Sequence, residues 1–255
     1  MFEYIHYLWN AKKRHGIHSP FIYEMSDKCL GIQIDALWKK DFQQLKSDLR
    51  GNRSTIKILD HGAGSKRMGT ERMISTIYKN SATKGKYAYL LYRLTHHYQF
   101  QHMLEMGTSL GVGTLHLHRG NPTGKLTTVE ACPQTYAAAQ ENFEKYSSKN
   151  ITSHLGTFVE FLTNYSGEPF DFVYVDGHHD GKALHQYMAL LQPHTHSSTI
   201  FLIDDIRWSK DMYASWNKLK DNPTYHVSID FFRMGILIQR PEQEKEHFVL
   251  RLTST

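Results

Sequence analysis

The chain has 255 residues, 40% of them hydrophobic, 13% aromatic and 22% charged, with a formal charge of +5. At roughly 100–200 residues per domain this is one large domain, or one with a small appendage, able to bury a core unaided. Two Cys, 17 Gly, 7 Pro, no sustained heptads and no apolar run near the ~20 residues of a spanning helix exclude disulfide-scaffold, collagen-like, coiled-coil and membrane-spanning classes.

Residues 1–50 read as short helices, with Ser19-Pro20 marking a helix start and Ile34–Leu49 carrying helical spacing. IKILD (56–60) is a short strand-like run into the glycine-containing stretch Asp60–Ser65. Thr70 to Tyr98 then reads as helical, interrupted near Lys84-Gly85. From residue 102 strands alternate with helices. HMLEMG (102–107), LTTVEA (126–131), ITSHLG (151–156), FDFVYVDG (170–177) and TIFLIDD (199–205) are strands, and 135–146, 182–191 and 210–220 are helices. The runs at 170 and 199 are continuously apolar, as strands covered on both faces should be. YHVSIDFF (225–232) and RMGILIQR (233–240) follow with almost no linker. Parallel neighbours need a dozen or more connecting residues, so these two form an antiparallel hairpin.

This pattern predicts an α/β, Rossmann-like, doubly wound and mostly parallel seven-stranded sheet with a C-terminal antiparallel hairpin. A helical N-terminal extension (1–84) precedes the domain proper (85–255). Its aromatics Phe2, Tyr4, Tyr7, Trp9 and Phe21 need burial, which predicts that the extension covers the site. Ligands of such sheets bind beyond the carboxyl ends of the strands. The informative loops therefore follow Glu105, Val129, Leu155, Val175 and Ile203.

Two glycine loops compete, Asp60–Ser65 and Glu105–Gly113. A nucleoside site also needs a second strand ending in an acid, whose carboxylate accepts hydrogen bonds from the ribose hydroxyls. Glu130 supplies that acid after the second loop, and nothing comparable follows the first. The first loop and its neighbours Lys66, Arg67 and Arg72 read as an accessory turn.

Taken together, 104–130, VDGHH (175–179) and LIDDIRWS (202–209) resemble the class I S-adenosylmethionine-dependent methyltransferases. The nearest group is the catechol and caffeoyl-coenzyme A type of small-molecule O-methyltransferase, with its bacterial relatives. HGIHSPFIYEM (15–25) is similar to an N-terminal signature of the bacterial members. The resemblance implies S-adenosyl-L-methionine as cofactor. It places Glu105, Gly107, Thr108, Ser109 and Gly111 at the methionine end, Glu130 on the ribose, Ala131 beside the adenine, and Gly156, Thr157 and Phe158 flanking that ring. Asp176 matches the acid ending the fourth strand. Gly113 departs from the pattern, because relatives carry Ser near there.

A phenol or alcohol acceptor loses its proton as it attacks, so the site needs a base, a metal or both. By resemblance, Asp176, Asp204 and Asp205 stand where metal-dependent relatives place Asp, Asp and Asn, so three carboxylates there would suit Mg²⁺. His179 stands where those relatives place a basic catalytic residue, and an imidazole accepts protons near neutral pH. The plainer alternative has the two later acids capping a turn and His179 only touching the cofactor.

Other functions fit these residues less well. A nicotinamide-dependent oxidoreductase would want G-x-G-x-x-G and an all-parallel sheet. Strand-end acids speak against a non-catalytic binding protein, but such acids also cap the helices that follow, which leaves that alternative open. An N/D-P-P-Y loop is absent, and the largest basic cluster (Lys12-Lys13-Arg14-His15) suits a solvated face, so nucleic acid is not favoured as a partner. The 17 His accompany no C-x-x-C or H-E-x-x-H, so zinc is not expected. Few Cys and no signal-peptide core lead to the expectation of a cytoplasmic protein acting on a small or conjugated hydroxylated acceptor.

Overall fold

A computed structural model describes residues 2–11, 19–59, 70–146 and 149–252. The Asp60–Ser65 loop with Lys66 and Arg67, residues 12–18 of the basic cluster and signature, and the side chain of Phe2 lie outside the described residues.

Two short strands, β1 (Thr55–Ile58) and β2 (Thr70–Met73), pair antiparallel and stand apart. The main sheet takes β3 (His102–Met106), β4 (Lys125–Glu130), β5 (Ile151–Leu155), β6 (Phe170–Val175), β7 (Thr195–Ile203), β8 (Val227–Asp230), β9 (Gly235–Ile238) and β10 (Glu246–Val249). Their order is β10-β8-β9-β7-β6-β3-β4-β5, and only β9 runs against its neighbours. All seven expected strands are present and the final pair is antiparallel. An eighth, β10, extends the β8 edge in parallel. Its sequence, Glu-His-Phe-Val, is too short and half polar to announce a strand.

The helices are α1 (Phe2–Asn10), α2 (Pro20–Glu24), α3 (Ala36–Gly51), α4 (Ile74–Ser81), α5 (Lys86–Tyr98), α6 (Val112–Gly120), α7 (Pro133–Lys145), α8 (Phe158–Asn164), α9 (Gly181–Leu191) and α10 (Lys210–Asp221). The expected helix from Thr70 is corrected: its first four residues pair with β1, from Thr55 opposite Met73 to Ile58 opposite Thr70. Four residues show no period by which a strand could be told from a helix. No described helix is long and apolar enough to cross a membrane.

Strand alternation divides the core. Met103, Phe172, Tyr174, Leu202 and Ile229 pack with Ile22, Leu90, Leu91 and Leu117 on one face of the sheet. Leu104, Val173, Phe201 and Leu237 pack with Leu162, Leu184, Met188 and Trp216 on the other. This double cover explains the near-continuous apolar runs of β6 and β7. A third cluster joins Trp38, Leu45 and Ile77 to Leu115 and Phe143, which fastens α3 and α4 outside α6 and α7.

The N-terminal aromatics have separate fates. Tyr7 is buried and donates to the Leu250 carbonyl at 2.5 Å, and Tyr4 sits edge-on to Phe232 at 4.9 Å. Trp9 is 87% exposed. Phe21 lies under Arg240 beside a separate hollow of about 390 Å³ that Asp171 and His196 also line.

Candidate active site

The chain turns one way from β3 to β4 and β5, and the other way through β6 and β7. The loops after β3 and β6 are therefore neighbours, and ligands of open sheets lie at such a junction. Gly107 shows how close they come. Its φ is +113°, and a Cβ there would collide with the backbone carbonyl of Asp176. Only glycine serves at that point.

A cavity of about 1130 Å³ opens beyond these strand ends. Gly107, Ser109, Glu130, Ala131, Thr157, Phe158, Asp176 and His179 line it, joined by Gly177, His178 and Trp208. Ile58, Leu59, Arg72 and Ser81 from the first 84 residues also reach it. The volume exceeds the roughly 300–1,000 Å³ usual for one drug-sized ligand, so two reactants have room.

Glu130 is anchored by the backbone on both sides. Ser109 N donates to its Oε2 at 2.8 Å and Cys132 N to its Oε1 at 2.9 Å. Each carboxylate oxygen keeps a further lone pair for a ligand hydroxyl. Thr157 doubles as the N-cap of α8, in a capping box with Glu160.

Thr108, Gly111, Gly156 and Glu105 are not brought to the cavity wall. Thr108 is buried, its hydroxyl 2.6 Å from that of Thr128, and Gly111 backs onto Phe143. Glu105 is 1% exposed and accepts from Thr128 at 2.7 Å and from Thr114. Burial pushes its carboxyl up to about 8, so it is neutral near pH 7. Gly113 leaves space for that carboxyl. A Cβ there would stand 2.7 Å from Glu105 Oε1, which accounts for the missing Ser.

At the ends of β6 and β7, Asp204 and Asp205 converge on one cation, and Asp176 joins them through Tyr174. Arg233, in the turn between β8 and β9, donates from Nε to Asp204 Oδ1 at 2.8 Å and from Nη2 to Asp204 Oδ2 at 2.7 Å. The same Nε lies 3.0 Å from Asp205 Oδ1. The Tyr174 hydroxyl is 2.9 Å from Asp176 Oδ2 and 3.1 Å from Asp204 Oδ2, and Thr83 joins it at 3.0 Å. Burial, then the charge of Asp204, raise the carboxyls of Asp176 and Asp205. His179 Nε2 lies 3.7 Å from Asp205 Oδ2 and 4.0 Å from Asp176 Oδ1, its ring 5.5 Å from that of Trp208. Neither later acid caps a helix, because Asp180 caps α9 and Ser209 caps α10.

The backbone here is held in left-handed conformations at non-glycine residues: His178 (φ 65°), His179 (33°), Asp205 (49°) and Phe232 (76°). Such positions cost free energy and cluster at functional sites.

The Mg²⁺ expectation is not supported. A hard divalent cation needs open oxygen ligands. Asp204 already gives both oxygens to Arg233 and accepts from Tyr174 and from the Asp205 amide at 2.7 Å. Among the described residues no group of three or more His, Cys, Asp or Glu is arranged to hold a metal. Sequence reasoning missed Arg233, Thr83 and Trp208. The signal for Arg233 was a lone arginine between two apolar strands of a hairpin, where an unpaired charge needs a reason.

Residues 104–206 match the methyltransferase domain family. Among solved structures the chain is similar to an O-methyltransferase of Bacillus cereus in complex with SAH, with 15% identity, TM-score 0.57, and 89% of this chain and 100% of that one covered. A SAH-bound Podospora anserina methyltransferase shows 16% identity and TM-score 0.55 over 82% of this chain and 98% of that one. The cofactor-bound Rv0187 protein of MTB shows 20% identity and TM-score 0.58 over 63% and 83%. A search of curated protein sequences finds no significant match. Residues 104–206 are thus similar to a methyltransferase domain, and the chain shares the Rossmann-like fold of these SAH-bound methyltransferases.

Proposed function

We propose that this chain transfers a methyl group from S-adenosylmethionine to the hydroxyl of a small or conjugated acceptor. The observation that carries the reading is Glu130, fixed by two backbone amides at the cavity edge with lone pairs to spare. Glu130 accepts from the ribose hydroxyls, Ala131, Thr157 and Phe158 flank the adenine, and Gly107 and Ser109 offer backbone to the methionine end. When bound, the sulfonium supplies a methyl carbon open to in-line displacement by oxygen.

The protein's share is positioning and proton handling. His179, among Asp176, Asp205 and Trp208, takes the acceptor's O–H proton. Asp176 bridges the two halves of the site, since it lines the cavity and shares Tyr174 with Asp204. Residues 1–84 serve as a cap: Ser81 and Arg72 line the cavity and Thr83 bonds Tyr174.

Calorimetry with S-adenosylhomocysteine tests the cofactor assignment. Saturable binding that Glu130→Ala weakens supports it, and no binding, or binding indifferent to that change, refutes it. A labelled-methyl screen over hydroxylated small molecules and acyl conjugates then identifies the acceptor, and His179→Ala with near-normal turnover would remove the base.

A further inference from the structure

We infer that Arg233 takes the place of a divalent cation in the acid cluster and is the positive group that the acceptor's oxygen meets. This rests on the methyltransferase reading above. Asp204 is fully buried, and a buried carboxylate must be paired. The pairing is a two-pronged fork, at 2.8 and 2.7 Å, and its Nε is shared with Asp205 at 3.0 Å. Planar, delocalised and permanently charged, a guanidinium suits this geometry as lysine would not. The Tyr87 ring lies 5.7 Å from its carbon and covers one side.

An incoming cation would have to expel that fork. Only then would Asp204 offer an oxygen, because Tyr174 and the Asp205 amide also draw on it. The fork is not saturated. Nη1 makes no hydrogen bond with any described residue, and the Arg233 side chain keeps 28% exposure. Arg233 is not itself among the residues that line the cavity; its polar contacts run through Asp205 to His179, which lines it beside Trp208.

The chemistry gives the spare donor a use. The acceptor oxygen gains negative charge as its proton leaves, and a donor already fixed beside it stabilises that charge without reorganising. The acceptor class follows. Chelating a cation takes two neighbouring oxygens, whereas a hydrogen bond from Nη1 takes one. A lone hydroxyl is sufficient, and a vicinal diol is not required.

The first test is titration of the whole protein with Mn²⁺, read by electron paramagnetic resonance, with S-adenosylhomocysteine calorimetry on the same samples. Wild type is expected to hold no stoichiometric Mn²⁺, whereas Arg233→Gln, which frees the carboxylates, gains a site that a second change, Asp204→Asn, removes. One Mn²⁺ on wild type, lost in Asp204→Asn, overturns the proposal, as does folded Arg233→Gln that gains none. The wild-type titration decides even if the variant fails to fold. Loss of S-adenosylhomocysteine binding by wild type would sink the methyltransferase reading instead, so the two failures are distinguishable. With a monohydroxy acceptor from the screen, turnover should survive chelator. It should fall on the order of 100-fold in Arg233→Gln, the usual cost of one oriented donor.

Discussion

Two acidic sites share the carboxyl edge of one sheet and are stabilised in opposite ways. Glu130 at the end of β4 is held by two neutral backbone amides and faces an open cavity. Asp204 at the end of β7 is held by a guanidinium, a tyrosine and an amide, and is wholly buried. Neutral donors orient a carboxylate and leave its charge available to a ligand. A cationic fork cancels the charge and uses up the lone pairs. The same kind of residue at the same place in the fold is left open to the cavity in one case and becomes a counter-ion in the other.

The comparison breaks or sharpens through variants on each side. Arg233→Met should cost most, about 3–5 kcal/mol in denaturant unfolding, because it leaves the buried Asp204 without a counter-ion. A loss below about 1 kcal/mol would mean that the cluster relaxes into water and that the contrast drawn above is false. Glu130→Ala should show the reverse profile. Stability moves by about 1 kcal/mol, while cofactor affinity drops by roughly 100-fold, since charge-assisted hydrogen bonds are worth about 1.5–3 kcal/mol each.

Glu105 adds a third way to keep an acid in a sheet: leave it protonated. Its carboxyl is pushed up to about 8 by burial, from an ordinary 4.5. The native state therefore keeps a proton that the unfolded chain gives up near its ordinary value. Stability from this source is full below pH 4.5 and is lost as pH rises towards about 8. Glu105→Gln should abolish that slope, with a difference on the order of 5 kcal/mol between the two proteins across the window, read from melts at stepped pH. Parallel curves would mean that the acid is ionised in the fold.

The smallest effects belong to α1. Tyr7→Phe removes the bond to Leu250 and should cost about 1 kcal/mol, whereas exposed Trp9→Ser should stay within about 0.5 kcal/mol. Equal losses would show that Trp9 is covered in solution.

Legibility in the sequence followed the range of the interaction. The apolar runs of β6 and β7, and the hairpin forced by a missing crossover, could be read because each is a local pattern with one solution. Glu130 could be read because a strand-end acid after a glycine loop is itself a local signature. Arg233 could not: it lies 29 residues from Asp204 in the chain, and only the antiparallel return of β9 beside β7 unites them. The inward turn of Glu105 beneath α6 escaped for a similar reason, since strand parity selects the face but not what that face meets. β2 and β10, at four residues each, are too brief to carry a period.

Cys132 joins two parts of the molecule through different atoms. Its amide holds Glu130, while its sulfur donates to the Lys57 carbonyl at 3.4 Å and accepts from the Leu59 amide at 3.4 Å. The side chain of Gln134 accepts from the amide of the same Lys57. β1 is thereby stitched to the first turn of the helix behind Glu130. Cys132 is 3% exposed, so an alkylating reagent reaches its thiol only in the fraction of time that this seam stands open. The labelling rate of Cys132 is therefore a clock for the lifting of β1, and one that a ligand bound across the seam will slow.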